Sequence, residues 1–207
     1  MDLMLCSYEQ ILEAIQTRCQ LKQRRIKALY DHAVAAAKFE GEFWECGVFL
    51  GGSARLLAEV MRRQPHPATL RLFDTFSGFP SVSNQDGSYP RVGMFGAASL
   101  ADARRFVAAD FAIFHKGEIP GTFAGLEDSR IAFAHIDVDL YEPTKAALGF
   151  VMPRMVKGGT VVIDDYGDAH YPGVALALNA LWDSSLWQSR LTIYDFGEHD
   201  RHAVISS

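Results

Sequence analysis

The sequence predicts a doubly wound α/β fold with a mostly parallel sheet, and three observations carry that prediction. Short β-branched and aromatic runs alternate with helical stretches along most of the chain, an order that gives parallel strands joined by right-handed crossovers. A glycine-rich turn stands where the first strand gives way to a helix, and acids end the later strands, where open α/β sheets gather their ligands. The 207 residues, 49% hydrophobic and 22% charged, suffice for one core without disulfides or a structural metal.

Residues 7–38 place Ile11, Leu12, Ile15, Ile26, Leu29, Tyr30, Ala33 and Ala37 at helical spacing, which predicts one or two amphipathic helices. No Pro/Gly-rich linker follows them. Residues 1–40 are therefore expected to be a helical segment packed on a single domain at 41–207, or against a second copy in a homodimer. Residues 43–48 read as a buried strand and residues 53–63 as the helix after the glycine turn. Residues 69–74, 111–115, 131–138 and 160–163 give four more strands, with helices between them that include 142–155 and 173–182. Residues 191–196 and 203–205 suit an antiparallel hairpin that closes the sheet. Residues 76–98 lack a period and are rich in Gly, Ser and Pro; such a loop reads equally as an active-site lid or a surface excursion.

Charge and cysteine content narrow the function classes. Twenty Lys+Arg against 25 Asp+Glu give a net charge of −5. The basic clusters at 22–25 and 104–105 read as solvated helix faces, so no nucleic-acid partner is expected. Cys6, Cys19 and Cys46 are odd in number and widely spaced, which suits neither a disulfide framework nor a zinc site. Residues 1–16 lack the pattern of a signal peptide and no stretch approaches a bilayer span, so a cytoplasmic protein with no membrane partner is expected.

Chemistry begins in the turn ECGVFLGGS, where Glu45 precedes Gly47 by two residues and Gly51 and Ser53 follow. Glycines at such a turn let a ligand approach the backbone, and the free N–H groups of a helix start attract an anion. Ser53 adds a hydroxyl to that anion or merely caps the helix. The spacing GxxxGG differs from the GxGxxG of dinucleotide loops, which makes a dehydrogenase the weakest reading. Asp74 ends the second strand, where an acid commonly accepts hydrogen bonds from ribose hydroxyls; a tight turn is the alternative.

The second feature is acidic. Asp137 and Asp139 end one strand, and Asp164 and Asp165 end the next. Side by side these carboxylates repel unless a cation lies between them or one holds a proton. Oxygen donors with no nearby Cys favour Mg²⁺, with Ca²⁺ as the alternative. Asp139 precedes an apparent helix start at Glu142 and Pro143 and also reads as a cap or turn residue.

In order, FWECGVFLGGSARLL, LFDTFSGFP, HIDVDLYEPTKAAL and GGTVVIDDYG resemble the macrocin O-methyltransferase family, whose members methylate sugar hydroxyls of macrolide, aminocoumarin and related natural products. The resemblance runs from about Gly41 to Trp182. It implies a class I methyltransferase fold that binds S-adenosylmethionine and Mg²⁺. Gly47, Gly51 and Ser53 would then hold the methionine end with Glu45 supporting the loop, Asp74 the ribose, Thr75 and Phe76 the cofactor's flank, and Gly117 and Glu118 the adenine. Asp137, Asp164 and Asp165 would ligate the metal.

The implied reaction moves a methyl group onto a small-molecule acceptor, a sugar hydroxyl or a vicinal diol, after Asp137 or a histidine removes its proton. His170 stands closest after the acidic doublet, with His199 and His202 further on. Two rivals are a cephalosporin-hydroxylase-like metal enzyme, disfavoured by the all-carboxylate set, and a non-catalytic module that binds S-adenosylmethionine, which would not need the acids.

Overall fold

The computed structural model describes residues 6–182, 190–197 and 201–206. Two helices come first, α1 (Tyr8–Ile15) and α2 (Gln23–Ala36). Ser7 starts α1 with a reciprocal cap: its hydroxyl accepts from Gln10 N, and its own N–H donates to the Gln10 side chain. Ile11, Ile15, Ile26, Leu29, Ala33 and Ala36 are buried from this segment, in the same core cluster as Leu56 and Leu57. It packs on one face of the sheet and on the first core helix.

The core follows as β1 (Glu42–Cys46), α3 (Gly52–Met61), β2 (Leu70–Asp74), α4 (Leu100–Val107), β3 (Ala112–Lys116), β4 (Ile131–Ile136), α5 (Tyr141–Val151), β5 (Met155–Ile163), α6 (Pro172–Trp182), β6 (Arg190–Asp195) and β7 (Arg201–Ser206). The strands form one sheet in the order β3-β2-β1-β4-β5-β7-β6. β7 runs antiparallel to both its neighbours, and the other pairs are parallel. The chain winds outward from β1 in one direction and from β4 in the other, so the crevice between the ends of β1 and β4 is the switch point where ligands bind in such sheets. All six residues of β4 are buried, as expected of a central parallel strand covered on both faces.

The alternation of strand and helix and the closing hairpin match the sequence reading. Most element ends shift by one or two residues, β4 stopping at Ile136 before the acids, and one boundary shifts further: α5 stops at Val151, a 3-10 turn takes Met152–Arg154, and β5 begins at Met155. Pro153 has no N–H for a further helical turn, and the freed residues extend the strand. Among the described residues no helix is long and apolar enough to cross a membrane. His199 lies outside the described residues.

Candidate active site

A cavity of about 480 Å³ opens at the carboxyl edge of β1, β2 and β4, within the size range of small-molecule and cofactor sites. Gly47, Ser53, Asp74, Thr75, Gly117, Glu118, Asp137, Asp164 and Asp165 line it. Glu45, Gly51, Phe76 and His170 do not appear in that lining.

Two of the loop glycines answer to close approaches. Gly47 has φ +92, and a Cβ there would overlap the carbonyl oxygen of Asp137, so the first glycine lets β1 and β4 meet at the switch point. A Cβ on Gly52 would come within 2.6 Å of Arg18 O and of Cys19 Cβ. The doubled glycine therefore seats the turn that joins α1 to α2 against the loop, and Arg18 Nη1 donates to Leu50 O there at 3.4 Å.

Asp74 braces the loop. Its Oδ2 accepts from Val48 N and Phe49 N, both at 2.8 Å, and its Oδ1 from Phe76 N at 2.7 Å. Phe49 and Phe76 both have positive φ, 48° and 49°, an unfavourable backbone region for a bulky residue. Three charge-assisted bonds hold both bends.

Glu45 and His135 lie side by side on β1 and β4. His135 Nδ1 and Glu45 Oε1 are 2.9 Å apart and both side chains are buried. His135 also belongs to a set with Asp137 and Asp164 whose donor atoms lie within 4.8 Å of one another; Asp137, Asp139 and Asp165 form a second set. The sequence reading assigned no role to His135. Its signal was the HID spacing, two residues apart along extended chain at the end of β4, which sends both side chains to the same side.

Asp139 is not the cap of α5. Leu140 holds the N-cap position, and Tyr141 N donates instead to Oδ1 of Asp86 in the long loop, at 2.6 Å. Asp139, at φ 62°, joins the carboxylates.

Burial raises the Asp137 carboxyl well above the usual range, with Asp164 next in effect. Burial and then Asp137 raise Asp139. Burial and Asp165 push Asp164 up to about 6, against the pull of Arg25. Asp164 Oδ2 is buried without a hydrogen-bond partner. A set dominated by carboxylate oxygens, one of them without a partner and with the His135 ring nitrogen alongside, fits a hard divalent cation.

Arg25 overturns one expectation. Lys22 and Arg24 are exposed, though Lys22 also lines the cavity and Arg24 donates to Phe196 O, whereas Arg25 is 7% exposed. Its Nη1 lies 2.9 Å from Asp164 Oδ1 and 2.6 Å from Asp165 Oδ1. A buried cation survives by such pairing.

The 76–98 loop forms a wall of the cavity through Gly78, Phe79, Pro80, Ser81 and Phe95. Phe95 meets Phe49 of the glycine loop and Phe79, each edge-on at 5.3 Å. Tyr89 packs edge-on against His170 and Tyr171 at 4.5 and 5.7 Å. Buried Asp86 also accepts from Ser83 N and Ser83 Oγ. The His170 side chain is 57% exposed and its Nδ1 lies 3.0 Å from Asp168 Oδ1.

A family model described as Macrocin-O-methyltransferase (TylF) matches residues 18–184. The chain is 33% identical over 147 residues to 8-demethyl-8-(2,3-dimethoxy-alpha-L-rhamnosyl)-tetracenomycin-C 4'-O-methyltransferase of Streptomyces olivaceus, a match covering 64% of this chain and 56% of that protein. It is 30% identical over 139 residues to demethyldecarbamoylnovobiocin O-methyltransferase of Streptomyces niveus, covering 61% and 53%. These matches span little more than half the length of the two relatives. Among solved structures, calicheamicin methyltransferase CalS11 aligns with a TM-score of 0.72 at 23% identity over 97% of this chain and 93% of that one. The O-methyltransferase NovP aligns at 0.73 and 21% identity over 88% and 79%. Likeness at these identities establishes the shared fold.

Proposed function

The chain belongs to the macrocin O-methyltransferase family, and on that premise we propose that it is an S-adenosylmethionine-dependent O-methyltransferase. Its acceptor is a small molecule, a sugar hydroxyl of a natural product, and Mg²⁺ assists. The observation that carries this reading is the cavity in which the glycine loop faces Asp137, Asp164 and Asp165. Both relatives named above are O-methyltransferases, and the first acts on a rhamnosyl-bearing compound.

S-adenosylmethionine supplies a methyl group on a sulfonium, an excellent leaving group, so alignment and proton removal are left to the protein. The glycine loop and Ser53 would hold its methionine end, and Gly117 with Glu118 its adenine. Asp74 fixes the loop and keeps lone-pair capacity for ribose hydroxyls.

Mg²⁺, held by Asp137, Asp164 and Asp165, would act as a Lewis acid that makes an acceptor hydroxyl more acidic. The sequence reading gave the proton to Asp137 or His170. With Asp137 assigned to the cation, we give that role to Asp139, which lines the same cavity beside Asp137 and Asp165. Phe49, Phe79 and Phe95 wall the reaction from water.

Calorimetric titration of S-adenosylhomocysteine, with Mg²⁺ and with EDTA, tests the cofactor assignment without knowledge of the acceptor. Saturable binding is expected in both buffers. No binding in either would overturn the methyltransferase reading.

A further inference from the structure

We propose that Arg25 is a built-in counter-ion of the carboxylate centre and sets its affinity for a divalent cation, which makes the amino-terminal helix a working part of the site. The inference rests on the metal reading above. α2 covers the sheet face onto which Glu45, His135, Asp137 and Asp164 project. From there one guanidinium nitrogen reaches Oδ1 of Asp164 at 2.9 Å and Oδ1 of Asp165 at 2.6 Å. Arginine keeps its charge at every relevant pH, so this positive charge is permanent.

The two acids Arg25 grips are two of the three assigned to the metal. Asp164 Oδ2, buried and without a hydrogen-bond partner, is left for a cation. Any ion held there shares two carboxylates with the guanidinium at short range and in a poorly screened interior. Arg25 therefore acts on it in two opposite ways. It orients the ligands, which for a supporting partner contributes about 10–100-fold in metal affinity. It also repels a doubly charged ion across only a few ångströms, and that Coulomb effect is the larger in a buried site. The net result is an affinity held down by the protein's own cation, which leaves room for acceptor oxygens to complete the site and tighten it.

The test is Mg²⁺ titration by calorimetry into the wild-type chain, Arg25→Gln and Arg25→Lys, with S-adenosylhomocysteine affinity as the check on folding. Arg25→Gln should bind Mg²⁺ at least about tenfold more tightly, while Arg25→Lys, which keeps the charge, stays within about threefold of wild type. Adding Asp164→Asn to Arg25→Gln should abolish the gain. Equal or weaker Mg²⁺ binding by Arg25→Gln overturns the proposal and leaves the metal reading standing. Absence of Mg²⁺ binding in wild type and variants alike overturns both. If Arg25→Gln melts below the assay temperature in EDTA, the Mg²⁺ concentration that restores its fold is compared with the wild-type Kd. Restoration at about a tenth of that value or less supports the proposal, and failure to restore refutes it.

Discussion

Replacing Asp74 with Asn distinguishes a carboxylate that only meets the ribose from one that builds the loop. The structure gives Asp74 three backbone donors, Val48, Phe49 and Phe76. Two of these donors sit on residues with left-handed φ, a conformation that costs about 1–2 kcal/mol per residue. An Asn whose carbonyl takes the place of Oδ2 keeps the bonds to Val48 and Phe49 but loses their charge assistance. Its amide then points N–H groups at the N–H of Phe76, so one bond becomes a donor facing a donor. Hydrogen bonds to a charged group contribute roughly 1.5–3 kcal/mol against about 1 for neutral ones. The whole change is therefore about 2–3 kcal/mol, after allowance for the partial exposure of Asp74.

For a chain of this size each kcal/mol moves the melting temperature by about 2–4 °C. Differential scanning calorimetry without cofactor and in EDTA should show a fall of about 4–12 °C. S-adenosylhomocysteine affinity should drop in parallel, because the loop that receives it has slackened. A variant that melts within about 1 °C of wild type without cofactor, yet loses affinity, would refute the scaffold role.

Three further outcomes follow from the same geometry. A Cβ on Gly173 would overlap Asp86 Oδ1 and lie 2.8 Å from Tyr141 N; Gly173→Ala should cost about 1–3 kcal/mol and speed proteolysis within 81–92, and unchanged cleavage would refute the idea that the Asp86–Tyr141 bond anchors the long loop. Burial and Asp165 lift the Asp164 carboxyl from 3.8 to about 6, so its contribution to stability is full below the unfolded value and is lost as pH rises through 6. In EDTA, Asp164→Asn should gain on wild type by roughly 2 kcal/mol between pH 4.5 and 7.5 in urea melts, and a constant difference would contradict the shift. Once an acceptor is in hand, His170→Ala should keep turnover within about threefold, whereas Asp139→Asn should lower it by about 100-fold or more; the reverse order would return the base to His170.

The fold was legible because its signals are local. Short β-branched and aromatic runs, helical spacing and the turn ECGVFLGGS each occupy a few consecutive residues, and together they force the parallel sheet and its switch point. The acids were legible too, since strands that end in DVD and DD bring carboxylates to one edge. Contacts across long separations were not. Asp86 caps α5 from 55 residues away, and no feature near Ser83 or Gly87 says which N–H it meets. The doublet Gly51-Gly52 reads as part of a turn that lets a ligand approach the backbone, whereas Gly52 makes room for Arg18 and Cys19, a segment the sequence places more than thirty residues earlier. The end of α5 was misplaced because Pro153 tolerates a tight last turn, and the apolar residues beyond it suit helix or strand equally.

Arg25 shows what periodicity could have added. The run at 22–25 reads as a solvated face because charges seldom go inside, and Lys22 and Arg24 are indeed exposed, Lys22 at the mouth of the cavity. Yet Arg25 precedes Leu29 by four residues and Ala33 by eight, both buried, which puts it on the apolar stripe of α2 rather than opposite it. A permanently charged side chain on a core-facing stripe must find an anion beneath it. The face under α2 offers the acids that end β4 and β5, which repel one another unless a cation lies between them or one holds a proton. The sequence therefore held both halves of the ion pair, 140 residues apart. Joining them required only the assumption that the amino-terminal helices cover that face, and the mutual repulsion of those acids is the physical reason to have made it.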